Sequence, residues 1–190
     1  MGAIVVAAMA MIGVTGQEPD PKRIDAIWDS TYNRLNTQLD IWFSDGDFPK
    51  CISLLKSQYV IWPKDYEVAT NLGWMEENVE DIDGAIQTYQ RYRLENPKDP
   101  DAALPEAQMY FNRGRFKRDP DGFAKAIRLL EPAVGSPAHP NVYRILASSY
   151  ERTGKFEESL RVWKVYLDKH PDDLAGKKNM ERVEKKLHPT

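Results

Sequence analysis

An all-α fold, built as an α-α superhelix of about four helical hairpins, is what this sequence of 190 residues predicts, and three observations carry the prediction. A small residue followed by an aliphatic one recurs at Cys51-Ile52, Ala85-Ile86, Ala126-Ile127 and Ser159-Leu160, at spacings of 34, 41 and 33 residues. One helical turn beyond each small residue stands a large apolar one (Leu55, Tyr89, Leu130, Trp163), so each pair lies on a buried stripe. Upstream, Gly46, Gly114 and Gly154 precede Phe48, Phe116 and Phe156 by two residues, with Glu80 and Ile82 in the second copy, where a tight turn between two helices is expected.

The elements follow in order. Asp20 and Pro21 read as an N-cap and first helical residue, opening a long helix through Trp28, Leu35, Leu39 and Trp42 whose extra turns cap the N-terminal end. The later first helices carry Ala69, Leu72 and Gly73, then Ala103, Ala107 and Tyr110, then Tyr143, Leu146, Ala147 and Tyr150 on one face, small residues marking close helix approach. In the third unit the turn is lengthened over Lys117 to Gly122, and Pro132 falls where the second helix should continue, which shortens that helix. Pro63, Pro97 and Pro171 stop helices. Leu174 to Leu187 is amphipathic and lysine-rich, with Leu174, Met180, Val183 and Leu187 on its apolar side, as a terminal capping helix requires. The implied organisation is a helical domain over residues 20–190, with units at about 32–65, 66–99, 100–139 and 140–173 and a cap at 174–187.

Ala3 to Val14 is a continuous apolar run too short to span a bilayer. Followed by Thr15, Gly16 and Gln17, it fits the core of a secretory signal over residues 1–16, cleaved after Gly16, although no Lys or Arg precedes it. Export to a periplasm or medium is the expectation, a cytoplasmic location the alternative. No stable membrane insertion is expected after signal removal.

Composition excludes several classes. With 26 Lys+Arg against 29 Asp+Glu the formal charge is −3, which gives no overall attraction to nucleic acid or anionic lipid. The single cysteine, Cys51, sits at a small interhelical position and allows neither a disulfide within the chain nor a cysteine metal cluster. His139, His170 and His188 each abut proline and lie far apart, and Glu80-Asp81-Ile82-Asp83-Gly84 is only a fragment of a calcium loop. No catalytic residue, metal ligand or cofactor site is implied.

The 34-residue period resembles the tetratricopeptide repeat. Asn141 to Pro171 matches its pattern closely, through Leu146, Ala147, Tyr150, Gly154, Phe156 and Trp163. Tyr66 to Asp99 is a good second match, Tyr32 to Asp65 a weaker one and Ala102 to Ala138 a degenerate one. The resemblance implies first helices lining a concave face, on which Asn33, Asn36, Asp40, Phe43, Thr70, Trp74, Glu77, Asn78, Gln108, Phe111, Asn112, Arg144, Ser148 and Arg152 project. Amides can pair with an extended peptide backbone and flat aromatics can anchor it. A shift of one residue would exchange the roles of Phe43 and Phe111 with their neighbours Trp42 and Tyr110. The set contains no lysine, so the clamp with which some members of the family grip chaperone C-termini is not implied. The expected function is a scaffold or adaptor binding a protein or peptide. The alternatives are an assembly module acting through its edges and, remotely, an enzyme on a helical solenoid.

Overall fold

The computed structural model describes residues 20–188; the segment read as an export signal lies outside them. Among the described residues nine α-helices follow one another without a strand: α1 (Pro21–Ser44), α2 (Phe48–Ile61), α3 (Tyr66–Asn78), α4 (Ile82–Glu95), α5 (Leu104–Arg115), α6 (Gly122–Leu130), α7 (Pro140–Arg152), α8 (Phe156–Lys169) and α9 (Leu174–Leu187). Each helix packs on its neighbours in sequence, and α5 also meets α7, which gives a tetratricopeptide-like α-α superhelix.

Aspartate starts most of the helices. Asp20, Asp47, Asp65, Asp81 and Asp173 each accept a backbone N–H of the first turn, satisfying donors that helix geometry leaves without partners. The connections within hairpins turn through one residue of positive φ: Gly46 (75°), Glu80 (61°), Lys117 (58°) and Gly154 (76°). Glu80 and Lys117 hold a conformation that crowds a Cβ, at a cost of about 1 kcal/mol. Glu80→Gly is therefore expected to stabilise the chain by up to about 1 kcal/mol in urea unfolding, its exposed ion pair with Arg118 being a minor loss. A destabilised variant would contradict this account of the turn.

The third hairpin differs from the sequence reading. Gly114 is not the turn residue: it lies in the last turn of α5, where a Cβ would come 3.2 Å from the backbone nitrogen of Phe123. Phe116 is not the equivalent of Phe48 and Phe156, being 66% exposed; Phe123 fills that place, edge-on to Phe111 with ring centroids 5.5 Å apart. α6 stops at Leu130 after nine residues and Pro132 sits in a 3₁₀ turn.

Three groups of buried side chains form the core. One joins α5 to α9 around Tyr143, Leu146, Trp163 and Tyr166. A second joins the first hairpin to α3 and α4 around Leu55, Tyr59 and Leu72. Between them lies only the small set Ala85, Tyr89 and Met109. Gly73 lets Tyr89 lie against α3, since a Cβ there would meet the ring at 2.2 Å. Buried Glu106 also spans the junction, bound by Arg93 at 3.1 Å and Gln90 at 3.3 Å. At the far end Val183 is buried and Met180 and Leu187 pack against the core, as the sequence predicts, but Leu174 is exposed and Gly176 is the residue buried near the start of α9.

Candidate functional site

The odd-numbered helices share one face. On α3 the stripe Ala69, Leu72, Gly73 and Glu76 is buried, which leaves Thr70, Trp74 and Glu77 on the open side one helical turn apart. On α5 the burial of Ala107 leaves Gln108 and Asn112 facing them. These five residues line a cavity of about 470 Å³ closed by Tyr66, Asn71, Leu104, Pro105 and Met109, with Tyr89 reaching in from α4. Asp101 and His139, from the loops before α5 and α7, complete the rim, where the His139 N–H donates to Asp101 Oδ1 at 2.7 Å.

Trp74 is the largest exposed group in the lining, 46% accessible, with Phe43 of α1 tilted against it at 5.9 Å between ring centroids. Beneath it the Tyr89 hydroxyl donates to Glu77 Oε1 at 2.7 Å. Burial pushes the Glu77 carboxyl above its usual range, against the lowering effects of the Tyr89 hydrogen bond and the Arg113 charge. Burial likewise pushes the Tyr89 phenol far up, so the hydroxyl stays a donor. The lining combines flat apolar surface with the exposed amides of Asn71, Gln108 and Asn112, which suits a ligand with an apolar side chain and a polar backbone.

The remaining expected residues divide. Phe111, Ser148 and Arg152 line a second cavity farther along the same face. Phe111 is half-buried against the core, so it is less free than Phe43 and Trp74. Asn33 and Asp40 are exposed on α1 but line neither cavity. Asn78 is exposed and its amide turns back to the Trp74 carbonyl at 2.7 Å. Two more of these residues are bonded to neighbouring helices. Asn36 is a packing residue, accepting from Gln58 of α2 at 2.9 Å. Arg144 is engaged with the start of α9, donating to Asp173 Oδ2 and to the Tyr166 hydroxyl, each at 2.8 Å.

Hydrogen bonds to Asp173 from the Tyr166 hydroxyl, Arg144 and the Gly176 N–H hold its carboxyl far below the usual carboxylate range. A depressed folded-state pKa contributes stability that is present above the unfolded value of about 4 and is lost as pH falls through the folded one. The melting temperature is expected to fall between about pH 5 and about pH 3, and less steeply in Asp173→Asn than in the wild type. Equal slopes would show that the cluster does not act as described.

Cys51 is fully buried and burial raises its thiol pKa, so it packs as a compact apolar group. Among the described residues no three His, Cys, Asp or Glu are grouped to hold a metal ion, and no helix is long and apolar enough to cross a membrane. The sequence reading missed His139 and Asp101, because loop residues are placed by packing rather than by a helical period. It also missed Arg115 and the α9 cations Arg182 and Lys186 that line the second cavity.

No protein-family model matches the sequence, and a comparison with curated proteins gives no match. Solved structures do resemble it. The fold likeness is to MamA. One crystal structure of MamA protein superposes with a TM-score of 0.60 at 16% identity, covering 83% of this chain and 82% of that one. A double mutant of MamA from RS-1 gives 0.60 at 15% identity, over 83% of this chain and 85% of that one. MamA from AMB-1 gives 0.57 at 18%, over 84% of each. At such identities the likeness to MamA is one of architecture, and it establishes the helical superhelix without assigning the site a ligand.

Proposed function

We propose that the chain is a protein-interaction scaffold or adaptor that holds a peptide or protein segment against α3 and α5. The observation that carries this reading is the cavity of about 470 Å³ with Trp74 exposed in its wall and amides from both helices around it. An apolar side chain of the ligand packs on Trp74, while Asn71, Gln108 and Asn112 pair with its backbone. Peptides selected from a displayed random library on the wild-type protein are expected to bind Trp74→Ala at least about tenfold more weakly by fluorescence polarisation, the loss typical of an interface anchor. Selected peptides that bind both proteins equally would sink the reading. Asn78→Ala, outside the lining, is the matched control.

A second reading, assembly through the edges, is favoured by exposed Ile27, Trp28, Val60 and Ile61 on the first hairpin. Sedimentation that changes on dilution supports it; a concentration-independent monomer rejects it. For export we propose a mature chain beginning at Gln17, and an intact Met1 in protein sequenced from its native host would overturn it.

A further inference from the structure

The second cavity, about 510 Å³, lies where the ends of α5, α7 and α9 converge. Four cations line it, Arg115, Arg152, Arg182 and Lys186, against one carboxylate, Glu151. That carboxylate is already engaged. Its side chain is 7% exposed, and it accepts from Arg182 Nε at 3.0 Å and Nη2 at 2.7 Å and from Lys186 Nζ at 2.9 Å. Arg182 spends its remaining nitrogen on Asn179 Oδ1 at 2.6 Å, so Arg182 serves to dock α9 on α7. Arg115 and Arg152 are different: both are exposed, and among the described residues neither has a carboxylate within 4.0 Å. The cavity thus keeps two guanidinium forks, and part of the Lys186 ammonium, for an anion from outside.

We propose that this cavity binds the carboxylates of an acidic peptide segment through Arg115 and Arg152, forming an anchor for the ligand of the scaffold reading above, on which the proposal rests. The two cavities are adjacent because α5 supplies both: Gln108 and Asn112 face the first, Phe111 and Arg115 the second, on neighbouring stripes of one helix. Their charges are opposite. The first is lined by Glu77 and Asp101 with no lysine or arginine in its lining, while four of the seven residues lining the second are cationic. A nucleic acid strand repeats its negative charge at every step and would meet Glu77 and Asp101 on leaving the cradle. A peptide can change character from residue to residue, apolar at Trp74 and acidic at Arg115 and Arg152, and so fits both halves.

The test is polarisation of a fluorescein-labelled hexaglutamate peptide. Binding to the wild type is expected to weaken with added salt and to fall about tenfold in Arg115→Gln/Arg152→Gln, and a hexalysine peptide is expected not to bind. Both arginines are exposed, so the melting temperature of the double variant should match the wild type; Arg115→Lys/Arg152→Lys, which keeps charge but loses the forks, should lie between the two. Trp74→Ala should bind hexaglutamate like the wild type, so failure of the first cavity and failure of this one are read separately. The proposal is overturned if hexaglutamate does not bind, if the double variant binds it undiminished, or if a thymidine decanucleotide binds more tightly through the same arginines.

Discussion

Gly122→Ala is expected to lower the stability of the folded chain by about 3 kcal/mol, at the upper end of what overpacking costs. Gly122 opens α6 against α5, and a Cβ there would stand 2.3 Å from the Tyr110 carbonyl oxygen and 2.8 Å from the Gly114 nitrogen. Both are backbone atoms, which have no rotamer to escape into, so the helices must separate and Phe123 must leave Phe111. Gly114→Ala, whose Cβ would stand 3.2 Å from the nearest atom, is the milder comparison. Urea unfolding followed by circular dichroism measures both, and a Gly122→Ala curve that overlays the wild type would show that the helices are not held so close.

Trp163→Ala carries the other large expectation, a loss of about 4 kcal/mol. Trp163 is 1% exposed in the largest group of buried residues and stands edge-on to Tyr166 at 5.8 Å. Truncation opens a cavity that rigid helices on either side cannot close. Trp163→Phe should cost about 2 kcal/mol or less, because the indole nitrogen has no hydrogen-bond partner among the described residues, so that no bond is lost with it. If both substitutions cost the same, it is not packing volume that sets the value of this side chain.

The sequence makes the helical stack legible because a repeated unit writes the same contact several times. Cys51, Ala85, Ala126 and Ser159 are all fully buried, and a repeated small residue has no reason to recur except repeated close approach. The third hairpin is harder to read because the chain has a second glycine and phenylalanine close by, Gly122 and Phe123, after Gly114 and Phe116. Counting back three residues from each buried small residue settles it, giving Phe48, Ile82, Phe123 and Phe156. The face of α3 could also be read, since Ala69, Leu72 and Gly73 leave Thr70 and Trp74 little choice of direction. Asn36 and Arg144 could not be read so, because their partners Gln58 and Asp173 lie 22 and 29 residues away and polar side chains bend toward whatever tertiary packing brings near. The cradle around Glu151 was hidden for the same reason: Arg182 and Lys186 look like the solvated face of a terminal helix until α9 folds back on α7.

The narrow junction of Ala85, Tyr89 and Met109 between the two larger groups of buried residues has a mechanical meaning. Considered as an elastic body, the molecule has two stiff ends and a thin waist, and bending concentrates where the fewest packed atoms resist it. The cavity at Trp74 straddles that waist, with α3 on one end and α5 on the other. On the scaffold proposal, a ligand that grips both helices would lie across the waist as a splint, joining the two ends at the place where least packing holds them together.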